Sequence, residues 1–188
     1  PPTRSSSATL PSIACSTGAA HVIYRRQKNY HDLPWVRHTP SGVNIAMPQS
    51  PFEGSAHSYD SIVVPNVRFQ TRDDVTLASD LYLPALDGKA ADGSFPTLLE
   101  RTPYLKDSTR YSRRGHWYAR RGYAVVINDV RGRGESEGEW YPFAKEAPDG
   151  YDAVQWIAEQ SWCSGKIGTM GASYAGSDQS ALATLNPP

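Results

Sequence analysis

From about residue 61 the chain alternates between two hydrophobic periods. In "VTLASDLYLP", Val75, Leu77, Leu81 and Leu83 recur at every second position with Ser79 between them, the spacing of a strand with one apolar face. "IVVPNVRFQ" precedes it, and the polar "TRDD" between the two predicts a hairpin turn. "FPTLLERTPY", "YAVVINDV" and "KIGTMGAS" are short apolar runs of the kind that fill a parallel sheet buried on both faces. Helical spacing separates them. "KDSTRYSRRGHWYARRG" predicts a helix capped by Asp107 or Ser108 and ended by Gly122, with Arg120 and Arg121 set against the negative end of its dipole. "PDGYDAVQWIAEQ" predicts a second, capped by Asp149, with Val154, Ile157 and Ala158 turned inward. "YAGSDQSALATL" predicts a third. A hairpin followed by strand, helix, strand, helix, strand, helix predicts an α/β fold whose mostly parallel sheet carries helices on both faces.

Residues 1–60 hold no sustained period of either kind. Stretches such as "PPTRSSSATLPS" predict a poorly ordered N-terminal arm or a leader foreign to the fold, with Met47 a candidate initiating residue. The chain begins without methionine and stops at "ATLNPP", directly after a helical pattern, so a fragment of a longer protein is expected.

Composition narrows the function classes. Lys and Arg total 19, balanced by 19 Asp and Glu, so no whole-chain field draws the protein to nucleic acid or to an anionic membrane. No apolar window approaches the length of a membrane span. Cys15 and Cys163 provide neither a disulfide framework nor a zinc site, and Cys163 reads as a small buried apolar residue. Two such cysteines and no signal peptide point to a cytoplasmic location. The histidines at 21, 31, 38, 57 and 116 do not cluster at metal-ligand spacing, and neither metal nor cofactor is expected. His116, beside Trp117, reads as a surface or packing residue. "RYSRRGHWYARRG" mixes arginine with aromatic rings as nucleic-acid contacts do, but zero net charge favours a solvated helix face.

In such sheets ligands bind outside the carboxyl ends of the strands. Three loops lie there. "GASYAG" sets Ser173 between small residues at a strand-to-helix junction, which fits a nucleophile elbow, where a tight bend lifts the hydroxyl clear of the sheet. It equally fits a serine N-cap on the following helix. Gly171 stands two residues before Ser173, but Ala175 occupies the position two after it, and Gly176 follows. In "RTPYLK", the neutral phenol of Tyr104 is a hydrogen-bond donor at the place where acyl-transfer enzymes put one half of an oxyanion hole; the backbone N–H of Tyr174 is the other candidate half. "NDVRGRGESEGEW" is glycine-rich but lacks both phosphate-binding spacings and carries Glu135, Glu137 and Glu139. It reads as a loop shaping the entrance, with Asp129 and Arg131 paired to each other.

Four separated stretches, "TRDDVTLASDLYLP", "RTPYLK", "GYAVVINDVRGRGESEGEW" and "AVQWIAEQSWCSGKIGTMGASYAG", occur here in an order that resembles the Xaa-Pro dipeptidyl-peptidase-like serine hydrolases, the group that includes cocaine esterases and α-amino acid ester hydrolases. The resemblance runs from about Val63 to Leu185. The serine motif of that family is G-x-S-Y-x-G, which "GASYAG" matches. The resemblance implies an α/β-hydrolase fold over residues 61–188, truncated after the elbow helix. It implies Ser173 as nucleophile, with the Tyr104 hydroxyl and the Tyr174 N–H as oxyanion hole. Substrates would be small esters or amides, or peptides, cleaved through an acyl-enzyme, with no nucleic acid or membrane partner. A proline-specific dipeptidyl peptidase and a non-catalytic binding module of the same fold are the alternatives. The triad order of this fold is Ser, then Asp or Glu, then His. No histidine follows His116, and Asp178 lies within the elbow helix, so the acid and base are expected beyond Pro188.

Overall fold

The computed structural model describes residues 36–39, 42–45 and 55–187. Two units divide between Glu53 and Gly54. In the first, β1 (Val36–Thr39) and β2 (Gly42–Ile45) pair antiparallel, Val36 opposite Ile45 and Thr39 opposite Gly42.

The second unit is a mixed sheet with helices on both faces. Its strands are β3 (Asp60–Gln70), β4 (Thr76–Leu86), the short β5 (Lys89–Ala90), β6 (Phe95–Thr102), β7 (Ala124–Asp129) and β8 (Cys163–Thr169), in the order β3-β4-β7-β6-β8, with β5 on β4. β3 and β4 form the expected hairpin, and Asp74 closes its turn at a φ of 63°. β6 runs parallel to β7 on one side and to β8 on the other. Helix α1 (Thr109–Ala119) links β6 to β7, α2 (Glu146–Ala158) links β7 to β8, and α3 (Tyr174–Ala183) follows β8.

Alternation along β7 shows why both faces are covered. Ala124 and Val126 join one core with α2 and α3, through Ala153, Val154, Ile157 and Leu182. Val125 and Ile127 point the other way and meet Tyr111 and Ala119 of α1. β4 keeps its period of two, but Tyr82 and Ala78 are as buried as Leu77 and Leu81, because α1 covers the face that the alternation left unassigned.

Three expectations need correction. Ala158 is exposed and Ala153 is buried in its place: the inward stripe of α2 is Gly150, Ala153, Val154 and Ile157, and Ala158 lies a further step round the helix. Asp149 is not the cap of α2. The helix begins a turn earlier, Lys145 occupies the cap position, and Pro148 falls among first-turn residues whose N–H groups lack intrahelical partners. β8, read as a buried strand, pairs with β6 alone among the described residues, and Ser164, Lys166 and Thr169 are exposed.

Candidate active site

β7 and β8 lie on opposite sides of β6, so the crossover from β6 to β7 and the crossover from β7 to β8 run in opposite directions across the sheet. That reversal opens a crevice at the carboxyl ends of β6 and β8, the usual place for a ligand in such a sheet. Tyr104 follows β6, and Ser173 follows β8.

Ser173 sits at φ 59° and ψ −125° and is exposed. A capping serine takes an extended backbone and accepts a hydrogen bond from the helix start. Ser173 does neither; its hydroxyl makes no capping bond. A non-glycine residue held in such a sparsely populated region costs about 1–3 kcal/mol and persists only where the surroundings enforce it. Here they do. The Ser173 carbonyl accepts the N–H groups of Gly176 and Ser177 at 2.9 and 3.0 Å, and the Met170 N–H is held by the Leu99 carbonyl at 3.0 Å. Gly171 makes the bend possible, since a Cβ there would fall 2.6 Å from the Ala175 carbonyl oxygen. At Gly176 a Cβ would meet its nearest atom at an ordinary 3.6 Å, so this shifted glycine is not demanded by packing.

Tyr104 is half-exposed, and its ring meets that of Tyr174 edge-on at 6.5 Å. Its loop is anchored from below: the Tyr104 N–H donates to Thr102 Oγ1 at 3.0 Å, Leu105 turns the chain at φ 71°, and the Lys106 N–H donates to Asp129 Oδ1 at 2.8 Å.

The role of the Tyr174 side chain was not read from the sequence. Its hydroxyl accepts the Phe143 N–H at 3.0 Å and Trp140 Nε1–H at 3.3 Å, and donates to Glu146 Oε1. Phe143 stacks on the ring at 4.4 Å. Burial, followed by the Glu146 hydrogen bond, raises the pKa of this phenol. Tyr174 is thus pinned at the helix start, which fixes where its backbone N–H points. The only advance signal was the aromatic run in "EWYPF", whose role depends on contacts about 30 residues away.

The charges beneath the site pair differently from expectation. Asp129 does not pair with Arg131. It accepts from the Lys106 and Glu135 N–H groups, tying the loops after β6 and β7 together, and Gly134 packs so close that a Cβ would lie 2.0 Å from Asp129 Oδ2. Burial raises the Asp129 pKa. Arg131 instead reaches Asp149 (2.6 Å) and Asp73 (2.7 Å), and the Asp149 hydrogen bond raises its pKa. The Arg131 hydrogen bond in turn holds the Asp73 carboxyl well below the usual carboxylate range. Two residues apart, Asp129 and Arg131 leave the end of β7 in different directions, and each finds a partner brought by another segment.

Arg101, at the end of β6, is fully enclosed. It donates to Asn128 Oδ1 at 3.2 Å and to the Glu146 carbonyl at 2.6 Å, and desolvation lowers its pKa. Asp178, in α3, is also buried, and neither carboxylate oxygen has a hydrogen-bond partner among the described residues. Burial pushes its pKa up to about 7, with Arg101 opposing the shift and Glu146 adding to it. His116 lies on α1, hydrogen-bonded to Ser61 Oγ at 2.9 Å and edge-on to Tyr82, in the packing role expected of it. Cys163 is a free, partly buried thiol packed against the core.

Residues 73–188 match the family model described as X-Pro dipeptidyl-peptidase (S15 family). The chain belongs to that family. Among curated relatives of this S15 chain, cocaine esterase of Rhodococcus sp. (strain MB1 Bresler) is 46% identical over 121 residues, covering 62% of this chain and 20% of that protein. Dipeptidyl aminopeptidase BIII of Pseudoxanthomonas mexicana is 36% identical over 126 residues, 58% of this chain and 18% of that one. A solved CocE/NonD family hydrolase from Staphylococcus aureus superposes with a TM-score of 0.61 at 28% identity, over 68% of this chain and 26% of its own. The fold is that of an α/β hydrolase, as the resemblance implied, and this chain spans about a fifth to a quarter of the length of these relatives.

Proposed function

We propose that the protein is a serine hydrolase that cleaves small esters or amides through an acyl-enzyme on Ser173. The observation that supports this most is the backbone of Ser173: exposed, at positive φ, and free of the capping bond that a structural serine would make. Ser173 Oγ attacks the substrate carbonyl carbon. The resulting oxyanion accepts hydrogen bonds from the Tyr104 hydroxyl and the Tyr174 N–H, and collapse expels the alcohol or amine. Water then attacks the acyl-enzyme, releasing the acid and restoring the serine. By the triad order of this fold a histidine takes the serine proton as general base and a carboxylate orients that histidine. Membership of a family with both esterase and peptidase names supports either ester or amide as the scissile bond. The higher identity to a relative named an esterase favours the ester.

The test is active-site labelling. A fluorophosphonate probe should modify the full-length protein at Ser173 and leave Ser173→Ala unlabelled, with ester turnover in the variant lower by about 10⁴–10⁶. Equal labelling of wild type and variant would refute the assignment. Comparing p-nitrophenyl acetate with an Xaa-Pro p-nitroanilide then separates esterase from proline-directed peptidase.

A further inference from the structure

Helix α1 buries Tyr111, Gly115 and Ala119 against the sheet. The adjacent stripe faces outward and sets two guanidinium groups among hydroxyl, imidazole and indole side chains: Ser112, Arg113, His116, Trp117 and Arg120, at helical spacing. With Arg121 just past the helix, His57 ahead of β3 and Ser61 within it, this stripe lines a groove of about 710 Å³. α1 runs antiparallel to the strands it connects, so Arg120 and Arg121 lie toward the end of the sheet remote from Ser173.

Among the described residues no carboxylate lines the groove. Arg114, on the inner side of the helix, is satisfied by Glu100. By contrast Arg113, Arg120 and Arg121 form no ion pair among the described residues. Nor does the preceding sequence redress the balance: before Ser55 it holds Arg4, Arg25, Arg26, Lys28 and Arg37 against Asp32 and Glu53. Two of the lining groups are held in place. The Arg121 guanidinium stacks 3.7 Å above the Trp117 ring and donates to the Trp117 carbonyl at 3.0 Å, and its Nε is enclosed without a partner. The His116 ring is oriented by Ser61 Oγ at Nδ1. Guanidinium groups gathered in one concavity with no counter-charge repel one another, and a bound oxyanion relieves that repulsion through charge-assisted hydrogen bonds.

We propose that this groove is a binding site for an oxyanion of the phosphate class, held by Arg113 and Arg120, with Arg121 as a further donor. Free phosphate and the phosphate group of a larger ester share the chemistry that the groove recognises. Trp117, half-exposed at the rim, would add contact area for the organic part of an ester.

Calorimetric titration of the full-length protein with inorganic phosphate, and separately with phenyl phosphate, tests the site. Saturable binding is expected, weakened by at least about tenfold in the Arg113→Gln/Arg120→Gln double variant, since each guanidinium supplies a charge-assisted bond. It should be unchanged in Lys166→Gln, which removes a cation from β8. Tighter binding of phenyl phosphate would identify a phosphate ester as the ligand, and equal binding the free anion. Because Arg113 and Arg120 have no ion pairs to lose, the double variant should keep its thermal midpoint; phosphate should raise that of the wild type and not that of the variant. Arg120→Gln alone should weaken binding by an intermediate factor even if the double variant fails to fold. No saturable binding below about 10 mM, affinity unaffected by either variant, or equal displacement by chloride at matched ionic strength would overturn the proposal.

Discussion

The two flanks of the crevice are built by different means. On the β6–β7 side the loops are fastened by buried charge: Lys106 between Asp80 and Asp129, and Arg131 between Asp149 and Asp73. On the β8 side almost nothing is charged. The elbow rests on the contact between Gly171 and Ala175, a few backbone hydrogen bonds and the Tyr174 side chain pinned by Glu146, and the buried Asp178 carboxylate of its helix has no hydrogen-bond partner among the described residues. Long loops that must hold one shape inside a protein use ion pairs whose geometry tolerates few alternatives. A bend of a few residues needs only steric fit. The flank fastened by charge should therefore fail through lost pairing, and the flank fastened by fit through added volume.

Removing one partner of a buried pair gives the largest effect. Asp149→Ala leaves Arg131 and Arg101 facing an uncompensated hollow and should cost about 3–5 kcal/mol, seen as a shift of the denaturant midpoint. A loss below about 1 kcal/mol would mean that water or Asp73 replaces the partner. On the other flank, Gly171→Ala forces a Cβ into the Ala175 carbonyl and should cost about 1–3 kcal/mol through strain. Reactivity at Ser173 should fall with it, because the bend itself shifts. An unchanged rate of fluorophosphonate labelling in this variant would show that the bend does not set the serine geometry.

Tyr174→Phe keeps the ring and deletes the hydroxyl, stranding the Phe143 N–H and the Glu146 carboxylate, at about 1–3 kcal/mol. If Tyr174 positions the oxyanion donor, kcat should fall while KM changes little; a change confined to KM would contradict that role. Asp178→Asn gives a smaller effect, visible in its pH dependence. The folded pKa of Asp178, about 7, lies above the ordinary aspartate value of 3.8, so its proton stabilises the fold. Its contribution is complete below about pH 4 and is lost as pH rises toward 7. The asparagine variant should match wild type at pH 4 and exceed it at pH 8 by on the order of 1 kcal/mol. A parallel pH profile for the two proteins would show that folding leaves the Asp178 pKa unshifted. Smallest of all, Arg68→Ala breaks a solvent-exposed contact with Glu135 at 3.7 Å and should cost under about 0.5 kcal/mol.

Much of the fold was legible because it is written in local periods. The β3–β4 hairpin, the apolar runs of β6 and β7 and the start of α3 at Tyr174 all appear where residue spacing placed them. The Ser173 bend was legible only as a choice between two roles, since a cap and an elbow favour the same small neighbours; the backbone angles and the missing capping bond separate them.

What the sequence determined by itself was the alternation of strands and helices, the parallel sheet that follows from it, and the junction at which Ser173 stands. Tertiary structure alone decided the partners: Arg131 with Asp149 and Asp73 rather than Asp129, Tyr174 with Glu146, and Asp178 with no hydrogen-bond partner among the described residues. The physical reason is range. A hydrophobic period acts between residues a few positions apart and survives in any window of the chain. An ion pair or hydrogen bond forms between whatever groups the folded segments bring within about 3 Å, and that pairing is set only when distant segments meet.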